Sequence, residues 1–160
     1  MARQLPDATV LAFDIDPAAQ EACLELAMIN NVAHRVCVGG KCDHKLLQSR
    51  LTQGTFLVLD CEGFEYSIIE KLSRSSLSEI DLLVELHNNE RFDPQVWFKS
   101  VFENSHEVTI VHARERDLLD EEINLLATWP EEERLLAINE FRNDGFIWGY
   151  AKSKSRRQAK

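Results

Sequence analysis

Apolar residues along this chain come in short runs, each followed by a stretch with helical spacing. The first run, Ala8-Thr9-Val10-Leu11-Ala12-Phe13-Asp14, is almost wholly apolar. Such a run predicts a strand buried on both faces, as in a parallel sheet. Asp16-Pro17 follows, an acid suited to the N-cap and a proline where the first helical residue needs no N–H. Ala19, Cys23, Leu26 and Ala27 then recur at helical spacing and predict one apolar face, closed by Asn30-Asn31. A short strand is expected near Arg35 to Val38, with Gly39-Gly40 as a turn. A helix from Asp43 to about Leu51 ends at Gln53-Gly54, and Thr55-Phe56-Leu57-Val58-Leu59-Asp60 reads as a second fully buried strand.

Phe64, Ile68, Ile69 and Leu72 mark the next helix face, and the polar residues Ser73 to Ser78 predict a loop. Ile80 to Leu86 is the fourth strand. Asp93-Pro94 repeats the earlier helix-start chemistry, with Trp97 and Val101, joined by Phe98 and Phe102, as the buried face. Val108 to His112 predicts a strand; Leu118 to Leu126 and Glu131 to Phe141 predict two helices with solvated acidic faces. Phe146 to Ala151 is a last strand after the Asp144-Gly145 turn. Six strands interleaved with helices predict an α/β fold, an open, mostly parallel sheet with helices on both faces. No internal repeat, low-complexity segment or second domain stands out.

Composition narrows the function classes. The 160 residues suit one domain, and 44% apolar content supports a core. With 27 acidic against 18 basic residues the net charge is −9. That balance argues against general nucleic-acid binding, which depends on neutralising phosphates. No run nears the roughly 18–20 apolar residues of a membrane span, and Met1 to Pro6 has no apolar signal core, so a cytoplasmic location is expected. Cys23, Cys37, Cys42 and Cys61 match no C-x-x-C or zinc spacing and are expected as free thiols. Lys152, Lys154, Arg156, Arg157 and Lys160 give a basic tail, expected to be a solvated end.

In open α/β sheets, ligands bind beyond the carboxyl ends of strands, which brings four polar segments forward. Asp14 can accept hydrogen bonds from two ribose hydroxyls or simply mark the entry of a helix that Asp16 caps. Gly39 to Asp43 ends the second strand. Asp60-Cys61-Glu62-Gly63 sets two acids at a strand end, with a glycine that lets the backbone turn closely. Those acids can orient a substrate, bind an amine, hold a metal, or stabilise a helix N-terminus. Glu85-Leu86-His87-Asn88-Asn89 offers a histidine that titrates near neutral pH and can take a proton from a hydroxyl, or serve structure alone. His34, His44, His106 and His112 have no comparable setting.

These residues also carry a resemblance. Val10 to Pro17 resembles the second strand and ribose-binding acid of Rossmann-like methyltransferases. Phe56-Leu57-Val58-Leu59-Asp60-Cys61-Glu62-Gly63-Phe64-Glu65 resembles the fourth-strand motif of the FkbM family: an apolar strand, then Asp, any residue, Glu, Gly, and an acid two positions on. Leu83 to His87 resembles the family's fifth strand and Ile147 to Ala151 its last, which would run antiparallel. The resemblance covers about residues 3 to 151, and the segment around Asp60 is its specific part. It implies a Rossmann-like sheet that binds S-adenosyl-L-methionine and methylates a hydroxyl oxygen of a small molecule or sugar. By position, Asp14 would hold the ribose hydroxyls and Ile15 would pack on adenine, with Cys42 or Asp43 at the adenine edge. Asp60 would lie beside the methionine portion and the acceptor. Glu62 and His87 would face the acceptor, with His87 as the base and Asp60 or Glu62 orienting the acceptor.

The chain departs from the family at its start. The first strand and its acidic glycine-rich loop should precede Arg3, a shortfall of roughly 25–35 residues from typical element lengths. In the family that strand lies between those ending at Asp14 and Asp60. The six glycines include no G-x-G-x-G pattern. The expectation is an incomplete methyltransferase domain over 1–151, with residues 152–160 as a disordered basic tail. Its unpaired edges would make it prone to oligomerise. Two other readings stand beside it. One is a metal-dependent hydrolase or metal-assisted methyltransferase using Asp60, Glu62, Glu85 and His87. The other is a non-catalytic interaction module. A nicotinamide-dependent dehydrogenase fits less well, since it too would need the glycine loop.

Overall fold

The computed structural model describes residues 1–113, 128–138 and 146–155. The helix expected over Leu118 to Leu126, the Asp144-Gly145 turn and the last five tail residues lie outside them. The chain divides into two compact units, Met1–Leu51 and Thr52–Lys160.

In the first unit, β1 (Val10–Phe13) pairs in parallel with β2 (Val36–Gly39), joined by α1 (Pro17–Ile29) and a single 3-10 turn at Ala33–Arg35. Asp16 caps α1 as its sequence position predicts, accepting from the Ala18 N–H at 2.9 Å. The guanidinium of Arg35 ties down the N-terminal segment by donating to the carbonyls of Ala2, Leu5 and Ala8. Along α1, Ala27 is buried and Ala19 and Cys23 are half-buried, but Leu26 is 60% exposed, so the apolar face is narrower than its spacing suggested. β1 is not buried on both faces either: Leu11 and Phe13 are exposed. A two-stranded sheet offers too little area to be covered on both sides. α2 (His44–Arg50) closes the unit.

The second unit is built on a four-stranded sheet in the order β3-β4-β6-β5. β3 (Phe56–Leu59) and β4 (Asp81–Glu85) are parallel; β6 (Ile147–Ser153) runs antiparallel to both β4 and β5 (His106–His112). α3 (Glu65–Lys71) and α4 (Arg74–Ser78) link β3 to β4, α5 (Pro94–Phe102) links β4 to β5, and α6 (Glu131–Ile138) precedes β6. The core holds Ile69, Leu77, Ile80, Leu82, Val84, Phe98, Phe102 and Ala151, each at most 2% exposed. On α5 the deepest side chains are Phe98 and Phe102, ring centroids 4.8 Å apart, with Trp97 and Val101 only half-buried. Gly149 is required by that packing, because a Cβ there would meet the Phe98 ring at 2.7 Å.

Several expectations are corrected here. The described strands form two sheets, β1 bonding only to β2 and β3 only to β4, which leaves the unpaired edges that a missing central strand implies. The strand that the resemblance would set beside both β1 and β3 has no counterpart among the described residues. β3 is buried on one face only, with Phe56 and Val58 exposed on the other. Ser73 to Ser78 is not a loop but contains α4, whose Leu77 is buried. β6 continues two residues beyond Ala151, because Ser153 is held by Asp81, whose carboxylate accepts its N–H at 2.9 Å. Lys154 is likewise anchored, donating from its backbone to Ser105 and from Nζ to Glu103. The α/β fold, the parallel β3–β4 pair and the antiparallel last strand are as expected.

Candidate functional site

The register of β3 and β4 assembles the site. Leu59 pairs with Val84, so Asp60 and Glu85 come one step later at the carboxyl ends of neighbouring parallel strands. After Asp60 the backbone turns through two left-handed residues, Glu62 at φ 50° and Gly63 at φ 96°. Glycine adopts this conformation freely; a glutamate there costs about 1–2 kcal/mol. Strain of this kind is found where surrounding structure enforces a particular side-chain position. The turn brings α3 in so that Glu65, its first residue, folds back and accepts a hydrogen bond from the Cys61 N–H at 2.5 Å.

His87 lies against this turn. Its Nδ1 is 3.2 Å from Glu65 Oε1, and its Nε2 is 3.5 Å from Glu62 Oε2 and 3.8 Å from Glu85 Oε1. The imidazole is thus within ion-pair reach of three carboxylates, yet neither ring nitrogen has hydrogen-bond geometry to a described residue. Glu65 is 0% exposed, and its Oε2 likewise has no hydrogen-bond partner among the described residues. An unsatisfied buried oxygen on a charged group costs at least about 1–3 kcal/mol. Glu85 is buried as well, whereas Asp60 and Glu62 face solvent. One donor atom each from Asp60, Glu65 and His87 lies within 4.8 Å of the others.

An aromatic group fixes the histidine segment from below. The Tyr66 hydroxyl donates to the carbonyl of His87, and its ring meets Phe92 and Trp97 edge-on at 5.0 and 4.8 Å. Burial first, and Glu65 second, push the Tyr66 phenol up to about 12, so it stays a donor at any working pH. Asn88 to Pro94 line an open depression directly after His87.

Sequence reasoning named Asp60, Glu62, Glu85 and His87, and the structure brings all four together. It gave no role to Glu65 or Tyr66. The signal for Glu65 was its place in the motif, an acid just after a turn-forming glycine. Nothing marked Tyr66 beyond helical spacing with Ile69.

The cofactor candidates of the first unit have simpler surroundings. Asp14 is exposed, and its Oδ1 accepts the Asp16 N–H at 2.8 Å. Ile15 is 80% exposed, an apolar side chain presented to solvent directly after a strand-end acid. Asp43 caps α2, one oxygen accepting from the N–H groups of Lys45 and Leu46 at 3.0 and 2.9 Å. The Leu46 bond chiefly holds its carboxyl below the usual range. Cys42 is half-buried, which together with Asp43 pushes its thiol up and keeps it protonated. The four cysteines are free, and no helix among the described residues is long and apolar enough to cross a membrane.

No protein-family model matches the sequence, and no curated protein matches it. Solved structures do. One is described as a precorrin-6Y C5,15-methyltransferase targeted domain from Corynebacterium diphtheriae, at 12% identity and a TM-score of 0.54, covering 96% of this chain and 79% of that one. Another is a human methyltransferase 10 domain containing protein, at 13% identity and a TM-score of 0.51, covering 95% of this chain and 63% of that one. At such identity the likeness is one of architecture, and it shows that this chain has a Rossmann-like α/β fold.

Proposed function

We propose that this chain is an S-adenosyl-L-methionine-dependent methyltransferase of the FkbM type, acting on a hydroxyl oxygen of a small molecule or sugar. The observation that carries the reading is the cluster of Asp60, Glu62, Glu65, Glu85 and His87 at the carboxyl ends of β3 and β4, where this fold places its chemistry. The cofactor supplies a methyl group on a sulfonium, already a strong electrophile. The protein has to align the acceptor oxygen and take its proton. His87 is the proton acceptor, since an imidazole nitrogen can take a hydroxyl proton and the surrounding carboxylates balance the charge it gains. Asp60 and Glu62, both exposed, orient the acceptor hydroxyl.

Asp14 and Ile15 fit the cofactor's nucleoside. An exposed carboxylate can accept from two vicinal hydroxyls, and an exposed isoleucine can cover an adenine face. Cys42, just past the strand that pairs with β1, serves as the adenine-edge residue. Asp43, whose Oδ1 caps α2, follows it. β1 and β3 each pair on one side only among the described residues and carry exposed apolar side chains, which supports a homo-oligomer.

Calorimetric titration with S-adenosylhomocysteine tests the reading. Saturable binding, weakened in Asp14→Ala, is expected; an Asp14→Ala protein that binds equally well would remove the nucleoside assignment. With an acceptor in hand, His87→Ala should lower turnover by about 10²–10⁴. Unchanged turnover would exclude His87 as the base.

A further inference from the structure

We propose that Asp60, Glu65 and His87 together bind one divalent transition-metal ion. The site needs no cofactor and does not depend on the methyl-transfer reading, although it uses the same cluster.

Three observations converge. One donor atom from each of the three residues lies within 4.8 Å of the other two. Ligands about 2.1 Å from a common ion stand at most about 4.2 Å apart, so closing around an ion takes only a small inward movement. One separation is already short, with His87 Nδ1 3.2 Å from Glu65 Oε1, the oxygen that also accepts from the Cys61 N–H. The second observation is independent of the clustering. Glu65 is wholly buried, yet among the described residues its Oε2 has no hydrogen-bond partner, and neither nitrogen of His87 has one. Buried polar atoms are nearly always satisfied, and a cation satisfies an oxygen and an imidazole nitrogen together. The third is charge. Glu62 and Glu85 stand 3.5 and 3.8 Å from the same imidazole, so four carboxylates surround a single group able to carry positive charge.

The donor set selects the kind of ion. Two carboxylates alone would suit Mg²⁺ or Ca²⁺, and the imidazole turns preference toward Mn²⁺, Fe²⁺, Co²⁺ or Zn²⁺. Three protein ligands leave coordination positions open, the arrangement of a catalytic rather than a structural site. Asp60 is the exposed ligand, so those positions face solvent, where an acceptor hydroxyl could reach them. A hydroxyl bound there loses its proton more readily. With an ion bound, His87 serves as a ligand and Glu62, 76% exposed, replaces it as the base; without one, His87 keeps that role.

The test uses the full chain, stripped with a chelator and titrated with Co²⁺ by visible absorption and with Mn²⁺ by electron spin resonance. One saturable site is expected, with Mg²⁺ a poor competitor. Glu65→Gln and His87→Ala should each weaken Co²⁺ binding by at least about tenfold, while Glu103→Gln, an exposed acid at the end of α5, leaves it unchanged. Circular dichroism shows which variants are folded, and His87→Ala, at a partly exposed residue, decides the matter if Glu65→Gln is not. Absence of a saturable site in the folded wild type, or binding untouched by His87→Ala, overturns the proposal. S-adenosylhomocysteine titrated into the same samples keeps the two readings apart. Metal bound without the cofactor analogue would sustain the ion site and weigh against methyl transfer, and the reverse result would do the opposite.

Discussion

Asp14 and Asp60 stand in the same local sequence pattern, an apolar strand followed by an acid, a tight turn and a helix, yet the two units treat it differently. In Met1–Leu51 the acids are solvent-facing and occupied with turn and cap bonds, and the only buried apolar side chains are Ala27 and Leu47. In Thr52–Lys160 the same pattern is backed by a dense core, and the turn after Asp60 draws Glu65 out of water beside His87 and Glu85. A solvated carboxylate is stable by itself and can wait for a ligand. A desolvated one has to be compensated. The comparison therefore sets solvated carboxylates in the first unit against a desolvated, charge-dense cluster in the second.

The sharpest way to break this contrast is through the cores. Phe98→Ala should destabilise the protein by about 3–5 kcal/mol in urea denaturation, while Leu26→Ala on exposed α1 should change stability by less than about 0.5 kcal/mol. Similar losses from both would mean that the first unit has a core its exposure does not reveal. Gly149→Ala should cost about 1–3 kcal/mol, because the added methyl meets the Phe98 ring. Recovery in the double variant with Phe98→Leu would trace that cost to the one contact.

The pH dependence of stability separates the units further. Burial holds His106 below the ordinary histidine range, against hydrogen bonds to the Ile80 carbonyl that pull the other way. Its stabilisation is whole above the unfolded value of about 6.5 and is lost as pH falls through the lower folded value, with a slope of at most about 1.4 kcal/mol per pH unit. Thermal melts between pH 7.5 and 5 should show this loss, flattened in His106→Gln; an unchanged slope would remove His106 as its source. The smallest effect belongs to the first unit. Asp16→Ala should cost about 1 kcal/mol by uncapping α1, measurable as a lower denaturant midpoint, and Asp16→Asn should restore most of it.

Much of the frame was legible in the sequence because it rests on local physics. Asp16-Pro17 and Asp93-Pro94 start helices as expected, since a cap needs only a side chain and the next turn of backbone. Asp43 was read as an adenine contact and is also a cap, a role its place at the start of its own helix already allowed. Burial was read less well. Leu26 and Leu11 look like core residues in a one-dimensional pattern, but exposure depends on what another segment lays over them. The same holds for the choice of Phe98 and Phe102 over Trp97, decided by which side of α5 meets Gly149.

By itself the sequence determined the α/β alternation, the helix starts and the strand ends at which Asp14, Asp60 and His87 stand. Those depend on periodicity, on caps and on residues near in the chain. Only the tertiary structure decided that six strands form two sheets, that β6 extends to Ser153 through a bond to Asp81, and that Glu65 shares a site with His87. Each of these depends on pairing between segments more than twenty residues apart, or on where water is excluded. A linear pattern of apolar and polar residues carries neither.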